Sequence, residues 1–448
     1  MRSVHTGQQR AGSTRTLLTG VDGSVVKKTV LPGGLRVLTE SVSGAHSVSV
    51  GFWVGVGSRD ETAKSAGASH FLEHLLFKGT ASRGPFEIAS AIDDVGGDLN
   101  AFTTKEYTCY HARVLAQDAP IAADVLGDMI ARSRIDPADV DAERGVVLEE
   151  LAMYEDDYAD VAHQQLARRM FMSSPLADPV IGTIPSLRAM SRSTVWKHYR
   201  RYYRPADVVI TAAGAVDHAE FVRQIRKATK SWVADPSAVP TPARVLRAKP
   251  VKSKMITGAS VVSRPTEQAH IAWGVRGLAR SDERRWALAV LDTALGGGMS
   301  SRLFQEVREK RSLVYTVQSY RSSYSDAGVF GVYAGTMPDK AATTIEVIED
   351  VLADVAKNGL TDAEVSRAKS QLRGSTALEA DDTNARMSRL GESEVISGAL
   401  LSIDDVLAKI DAVDGDQIAS LAKTILKKPA SVVVVGPYEQ DHVFNVRS

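Results

Sequence analysis

The chain has 448 residues, a length that usually divides into two or more domains. Its 54 Lys and Arg residues balance 54 Asp and Glu residues, and this zero formal net charge excludes a bulk electrostatic drive toward nucleic acid or an anionic membrane. The single cysteine, Cys109, excludes an intrachain disulfide, and 44% hydrophobic residues is ordinary for a globular protein.

The first twenty residues carry basic and hydroxyl side chains but no apolar core, so they form a poor secretory signal. We expect a frayed, disordered tail here, with a transit peptide as the alternative. No apolar run approaches the roughly 20 residues that span a bilayer. We therefore expect no membrane insertion, and a cytoplasmic location is the default prediction.

Hydrophobic periodicity and turn residues predict the elements of the first half of the chain. The alternating, valine-rich stretch 35–56 predicts two strands joined near Ser43–Ala45. The further predicted elements, in chain order, are helices at about 68–77 and 85–95, the second ended by Gly96–Gly97, a strand-like stretch at 99–115, a helix at 117–132, and a long helix opened by Pro137 that runs to about Tyr158.

Residues 233–254 break this pattern, since they hold four prolines and show no helical period. We interpret them as a linker between an N-terminal half, 1–232, and a C-terminal half, 255–448. The order of elements then repeats as a strand at 270–278, a helix at 284–295, a hairpin at 314–336 broken at Ser325–Gly328, and a long helix pair. Two diverged copies are indicated, each an α+β half with helices packed on a mainly antiparallel sheet.

The motif that carries chemistry is His70-Phe71-Leu72-Glu73-His74. On a helix, His70 and His74 lie about 40° apart, so both imidazoles can converge on one Zn²⁺. Glu73 projects to the same side and can act as a general base on water that the metal acidifies. The order is the inverted H-x-x-E-H form of the zinc motif. A satisfied histidine pair beside the core is the alternative.

Catalytic zinc needs a third protein ligand and an open position. The long predicted helix offers Glu143 and Glu150, which are seven residues apart and share a face. The apolar residues expected on that face are Val146, Val147 and Tyr154. A carboxylate on an apolar face is costly unless it is paired or ligating, and a half-exposed Glu on a charged helix is the alternative. Glu149 points about 100° away and is expected to face solvent or a neighbouring helix.

The HFLEH motif, followed 76 positions after His74 by Glu150 in an ERGVVLEE helix, resembles the pitrilysin-type (M16) inverted-zincin peptidases over nearly the whole chain. The resemblance implies His70, His74 and Glu150 as ligands of one zinc ion per chain. It implies Glu73 as the catalytic base and Glu143 as a carboxylate that orients the site. The length suits the short, processing-peptidase-like bacterial subfamily, whose members pair as dimers, with the two halves facing each other across a chamber.

The segment 96–108 resembles the edge strand of that family, to which an extended peptide adds as a further strand. Asn100 and Ala101 are the candidate substrate contacts, and an ordinary hairpin entry is the alternative. Phe77 is predicted either to line an apolar subsite or to belong to the core.

In the second half, Gly296–Gly298 permits unusual backbone shapes ahead of Arg308 and Tyr315. The resemblance implies that these two residues close over the substrate. Tyr315 is predicted to donate to the oxyanion and to be catalytic. Arg308 is predicted to bind a substrate carbonyl or carboxylate, and one charge on a solvated helix is the alternative. The acidic run Glu155–Asp157, with Asp160, is a hypothetical site for a basic substrate residue or simply an exposed helix end.

We therefore predict a zinc-dependent endopeptidase that acts on short or unfolded polypeptides, as a homodimer with no nucleic acid partner. Two alternatives stay open. One is a non-catalytic scaffold subunit of the same fold, although such relatives usually lose the motif. The other is the catalytic subunit of a heterodimeric processing peptidase.

Overall fold

The computed structural model describes residues 4–5, 9–248 and 252–447 of the chain. Residues 249–251 of the predicted linker lie outside these ranges, as do several residues of the predicted tail, namely 1–3 and 6–8.

Strands and helices alternate along the described residues. The strands are β1 (Val4–His5), β2 (Thr14–Thr19), β3 (Val25–Val30), β4 (Arg36–Ser41), β5 (Ser47–Val54), β6 (Asp98–Thr103), β7 (Thr108–Leu115), β8 (Val208–Gly214), β9 (Gly258–Ser263), β10 (Ala269–Arg276), β11 (Val314–Ser323), β12 (Gly328–Thr336), β13 (Ala399–Leu400) and β14 (Ser431–Gly436). The α-helices are α1 (Ala68–Leu76), α2 (Pro85–Asp93), α3 (Ala119–Arg132), α4 (Pro137–Asp156), α5 (Tyr158–Met170), α6 (Ile184–Arg188), α7 (Arg192–Tyr202), α8 (His218–Ala228), α9 (Arg244–Arg247), α10 (Arg285–Gly296), α11 (Ala341–Asn358), α12 (Asp362–Glu379), α13 (Thr383–Glu392), α14 (Ile403–Asp411) and α15 (Gly415–Ile425). Two short stretches, Phe304–Glu309 and Ser393–Ser397, are π-helical.

The chain forms two compact units that interleave along the sequence. The first unit comprises Met1–Leu151, Pro179–Arg247 and Ala377–Asp405, and the second comprises Ala152–Asp178, Ala248–Thr376 and Val406–Ser448. This division differs from the predicted one at 232 and 255, because 152–178 belongs to the second unit and 377–405 to the first. Local sequence patterns could not show it, since it depends on which sheet each distant segment covers.

The first unit is built on a seven-stranded sheet in the order β2-β3-β4-β8-β5-β7-β6. Strand β8 lies between β4 and β5, parallel to β4 and antiparallel to β5. The strand residues Val50 and Phe52 face the core formed with the helices on one side, whereas Trp53 faces the opposite side, where Met387 and Leu390 of α13 cover the sheet. The central strands of this sheet are therefore buried on both faces.

The second unit is built on a five-stranded sheet in the order β11-β12-β10-β14-β9, in which the β14–β9 pair is parallel. Ile271 of β10 belongs to the core that contains residues of α10, α11 and α15. Its neighbour Ala272 faces the opposite side, where Val161 and Leu166 of α5 pack. The α+β architecture with mainly antiparallel sheets is confirmed in both units.

Several local predictions are confirmed, and three are wrong in detail. The N-terminal stretch is not a disordered tail throughout, because Thr14–Thr19 pairs with β3 as an edge strand. The predicted strand 99–115 is a hairpin of two strands. The long helix ends at Asp156, because the Asp157 side chain accepts the N–H groups of Ala159 and Asp160 and so starts a new helix.

Candidate metal centre

Helix α1, which carries the histidine motif, begins at a glycine and a partly buried carboxylate. Gly67 precedes the helix with a φ of 88°, in the left-handed region that glycine adopts readily. The Glu61 carboxylate accepts the N–H of Gly67 at 2.7 Å and the N–H of Ser69 at 2.6 Å, which places negative charge at the positive end of the helix. Burial raises the pKa of Glu61 to about 7. These bonds fix the residue at which the helix starts.

The two ends of the motif project away from the core. Phe71, Leu72 and Leu75 are fully buried in the core of the first unit. His70 and His74 are only half-buried, and their ring centroids lie 4.7 Å apart. Core packing of the apolar residues therefore holds both imidazoles side by side, one helical turn apart.

Glu150 of α4 completes a set of three potential metal ligands. Its Oε1 lies 3.5 Å from Nε2 of His70, and its Oε2 lies 3.3 Å from Nε2 of His74. Within the described ranges, this is the one trio of His, Cys, Asp or Glu side chains whose donor atoms lie within 4.8 Å of one another. Ligands bonded to zinc at about 2.1 Å in a tetrahedron stand about 3.4 Å apart. Two imidazoles and one carboxylate at these distances fit zinc in donor chemistry and in spacing.

Glu143, which lies two helical turns before Glu150 on α4, fixes the orientation of His74. The Nδ1–H of His74 donates to Oε1 of Glu143 at 2.9 Å, so the lone pair of His74 is on Nε2, the atom nearest Glu150. Glu143 is buried, and its Oε2 lies 2.7 Å from Nζ of Lys78. The Glu143 carboxylate therefore has a partner at each oxygen, the neutral imidazole of His74 at Oε1 and the ammonium of Lys78 at Oε2.

Glu73 lies beside the ligands but does not belong to the converging trio. Its Oε2 accepts the hydroxyl of Thr103, the last residue of β6, at 2.5 Å. Burial raises the pKa of Glu73 above its ordinary value, while the Thr103 hydrogen bond and the two neighbouring histidines act in the opposite direction. The arrangement provides a carboxylate next to the trio that can take up a proton.

Strand β6, which carries the predicted substrate contacts, is an edge of the seven-stranded sheet. Asn100 is exposed on this strand, and its Oδ1 accepts the backbone N–H of Ala101 at 2.8 Å. The outer side of β6 is free of a neighbouring strand in the described part of the chain. Phe77 packs partly against the core, with its ring centroid 6.4 Å from that of Tyr110.

Two models of protein families match successive segments of the chain. Residues 36–184 match the family described as Insulinase (Peptidase family M16), and residues 189–372 match the Peptidase M16 inactive domain. An uncharacterized zinc protease of Streptomyces coelicolor is 49% identical over 95% of this chain and 92% of its own length. The uncharacterized zinc protease YmxG of Bacillus subtilis is 36% identical over 92% of this chain and 98% of its own length.

The chain belongs to peptidase family M16. Its relatives are named zinc proteases, which supports a zinc peptidase in general. Solved structures share the fold of this M16 member. A protease from Helicobacter pylori has a TM-score of 0.85 at 21% identity and covers 92% of this chain and 99% of its own. A peptidase M16 inactive domain from Pseudomonas fluorescens has a TM-score of 0.83 at 19% identity and covers 94% of this chain and all of its own.

The two predicted contacts of the second unit lie next to each other. The guanidinium of Arg308 lies 5.5 Å from the ring centroid of Tyr315 and 4.7 Å from that of Phe304. Tyr315 is 76% exposed on β11, and Arg308 is also exposed at its side chain. Because Tyr315 is exposed, its ring and hydroxyl are accessible to a ligand.

One expectation about the surroundings of the site differs from the structure, and some site residues were missed. Val146 and Tyr154 are 50% and 41% exposed, so part of the apolar face of α4 that carries the glutamates faces solvent instead of the core. Lys78 and Thr103 were not predicted. Lys78 follows His74 by four residues, a helical spacing that could have indicated it. Thr103 lies 30 residues from Glu73, and no local pattern links them. In the acidic run, Asp157 serves as the N-cap of α5.

Among the helices that the structure describes, none combines the length and the apolar character needed to cross a membrane.

Proposed function

We propose that this M16 family member is a zinc-dependent endopeptidase that cleaves short or unfolded polypeptides, with one zinc ion per chain held by His70, His74 and Glu150. The observation that carries the proposal is the convergence of these three side chains beside Glu73. The zinc protease names of the relatives support the same metal.

Each residue of the centre has a distinct part in the proposed hydrolysis. Bound zinc supplies Lewis-acid chemistry that polarises a peptide carbonyl and makes water more acidic. Glu73 takes a proton from the attacking water and later gives it to the amide nitrogen as the C–N bond breaks. Glu143 holds the tautomer of His74, and Lys78 balances the charge of Glu143.

Substrate binding is assigned to the edge strand and to the second unit. An extended peptide pairing with β6 would receive backbone hydrogen bonds whatever its sequence, and Asn100 and Ala101 are the contacts. Tyr315 is proposed to donate its hydroxyl to the oxyanion, and Arg308 to bind a substrate carbonyl or carboxylate. The exposure of Tyr315 and the neighbouring guanidinium support this assignment.

We also propose a homodimer, since one chain carries the motif and the Arg308–Tyr315 pair, so no second kind of subunit is needed to supply them. The mass of the purified protein in solution tests it, and a co-purifying second chain of similar size would favour the heterodimer instead.

The test of the proposed activity compares the wild type with Glu73→Gln. We expect about one zinc per chain in both proteins and cleavage of a quenched fluorescent peptide by the wild type alone. Glu149→Gln, an exposed change on α4, is the matched control and should cleave like the wild type. A wild type without metal, or an active Glu73→Gln, contradicts the assignment of the zinc ligands and the base. Either result favours a non-catalytic scaffold protein instead.

A further inference from the structure

The hydroxyl of Thr103 selects one oxygen of Glu73. It donates to Oε2 at 2.5 Å. Among the residues that the structure describes, no other side chain donates a hydrogen bond to the Glu73 carboxylate. A carboxylate oxygen that accepts a hydrogen bond is a poorer acceptor for a further proton. The bond therefore distinguishes two oxygens that are otherwise chemically equivalent.

The direction of the Thr103 hydroxyl is set by its surroundings. The Oγ1 atom of Thr108 lies 3.4 Å from that of Thr103, and the Thr108 hydroxyl itself donates to the backbone oxygen of Val56 at 3.1 Å. The hydroxyl of Thr103 can donate either to the neutral Oγ1 of Thr108 at 3.4 Å or to the carboxylate of Glu73 at 2.5 Å. The charge-assisted bond to Glu73 is the stronger of the two.

Thr103 is also held in place by its backbone. It pairs with Thr108 in the register of β6 and β7, and its branched Cβ restricts χ1. A base positioned by a stiff residue on a paired strand loses little entropy in reaching its reactive geometry. Since β6 is also the strand to which substrate is proposed to add, the same element carries the peptide and orients the base.

We propose that Thr103 is a positioning residue whose hydroxyl holds Oε2 of Glu73 and leaves Oε1 to carry the transferred proton, an inference that rests on the proposed function. Water loses one proton to Oε1 as its oxygen bonds to the carbonyl carbon. The C–N bond then breaks, its electron pair goes to nitrogen, and nitrogen takes the proton from Oε1. Glu73 ends the cycle ionised, with Oε2 bonded to Thr103 throughout.

Two substitutions separate the hydroxyl from the shape of the side chain. Thr103→Val keeps the branched shape and removes the hydroxyl, and we expect kcat for a quenched fluorescent peptide to fall about 100-fold. KM should stay within about threefold, because the peptide contacts the strand backbone. Thr103→Ser keeps the hydroxyl and should retain kcat within about fivefold of the wild type.

Measurements other than turnover test whether the effect passes through Glu73. Zinc content should equal that of the wild type in both variants. In a Glu73→Gln background, Thr103→Val should cause no further loss of residual activity and no change in the dissociation constant of the same peptide, measured by fluorescence anisotropy.

The outcomes distinguish this inference from the proposed function. If Thr103→Val turns over like the wild type, or Thr103→Ser is as slow as Thr103→Val, the positioning role is wrong while the peptidase stands. An additive loss in the Glu73→Gln background also overturns it. A wild type that binds no zinc or does not cleave overturns the proposed function, and the role of Thr103 with it.

Discussion

At the scale of single residues, His74 has a defined role for each ring nitrogen. Its Nδ1–H donates to Glu143, and its Nε2 lies 3.3 Å from Glu150. A neutral imidazole has one donor and one acceptor nitrogen, so satisfying the donor leaves the acceptor for a metal. Lys78 holds the other oxygen of Glu143 at 2.7 Å. Orientation of the histidine thus depends on a residue that does not itself ligate.

This dependence predicts the effect of Glu143→Gln on metal binding. The amide offers His74 a neutral acceptor in place of a charged one and loses the ion pair with Lys78, so we expect zinc affinity to fall about 10- to 100-fold. Competition against a chelator of known affinity measures it. Glu149→Gln, an exposed change on the same helix, should bind zinc like the wild type. Equal affinities for Glu143→Gln and the wild type would exclude this orienting role.

Residues that are close in sequence could be predicted, and residues brought together by the sheet could not. The spacings that relate His70 to His74, and Glu143 to Glu150, follow from helical geometry alone. Thr103 reaches Glu73 only because β6 lies beside α1, which no local pattern encodes. The exposure of Val146 shows the same limit, since a helical period predicts which residues share a direction but not what they face.

At the scale of elements, the start of α1 depends on Glu61. Its carboxylate accepts two backbone N–H groups that the helix itself cannot satisfy. Burial raises the pKa of Glu61 from 4.5 to about 7, so the contribution of this group to stability is present at low pH and falls as the pH rises through about 7. Glu61→Ala should therefore lower the free energy of unfolding by about 1–3 kcal/mol at pH 5, and by less at pH 8, measured by urea denaturation.

The control for this cap is Glu87→Ala. Glu87 is an exposed acidic residue in the first turn of the neighbouring helix α2, so its loss should change stability by less than about 0.5 kcal/mol. Similar losses for the two variants would mean that Glu61 contributes no more than a surface charge.

The start of α8 makes the first unit sensitive to acid. His218 is buried, with Nε2 2.7 Å from the hydroxyl of Thr29 and Nδ1 2.8 Å from that of Thr39. A neutral imidazole matches one donating and one accepting hydroxyl, whereas the cation has two donors and no acceptor. Burial, reinforced by the charge of Lys27, lowers the pKa of His218 to about 4, against the partial opposition of Asp217.

Because the folded pKa lies below the unfolded value of about 6.5, the stability contributed by neutral His218 is fully present above pH 6.5 and is lost as the pH falls through about 4. Between pH 7 and pH 4, the free energy of unfolding of the wild type should fall by on the order of 2 kcal/mol more than that of His218→Asn. Urea unfolding at both pH values measures this. The exposed His46→Asn should keep the wild-type dependence, and an unchanged dependence in His218→Asn would rule out this residue as its source.

Element prediction succeeded where the signal was local. Alternation marked β4 and β5, and the glycines after α2 marked its end. The position of β8 between β4 and β5 was not predictable, because residues 208–214 are separated from both strands by more than 150 residues. The break at Asp157 has a local signal, an Asp that can cap a new helix, but the helical pattern on both sides of it is continuous and predicts one helix.

At the scale of the whole molecule, the interleaved units require the chain to return to a sheet that it left far earlier. The segment 377–405 belongs to the first unit, where Gly391 lies against the ring of Trp53 and the Ser49 hydroxyl meets that of Thr383 at 2.9 Å. A side chain at Gly391 would overlap the indole, so the close approach requires glycine. The stability of the first unit therefore depends on residues near the other end of the sequence.

The buried ion pair of this segment gives the sharpest test of that dependence. Nζ of Lys28 lies 2.6 Å from Oε1 of Glu394, and both side chains are almost fully buried. Glu394 also lies 3.5 Å from the buried guanidinium of Arg36, so Glu394→Gln takes a carboxylate away from two buried cations and the free energy of unfolding should fall by about 3 kcal/mol or more. Lys28→Met combined with Glu394→Gln should lose less than the sum of the two single variants, because the double variant leaves one buried cation fewer beside the neutral amide.

The exposed pair Arg373–Asp411, 3.1 Å apart in the second unit, is the matched control. Asp411→Asn should cost no more than about 1 kcal/mol, since solvent screens an exposed pair and replaces its hydrogen bonds. Urea unfolding of all four variants makes the comparison. If Glu394→Gln costs no more than Asp411→Asn, the Glu394 carboxylate does not contribute to the attachment of the returning segment.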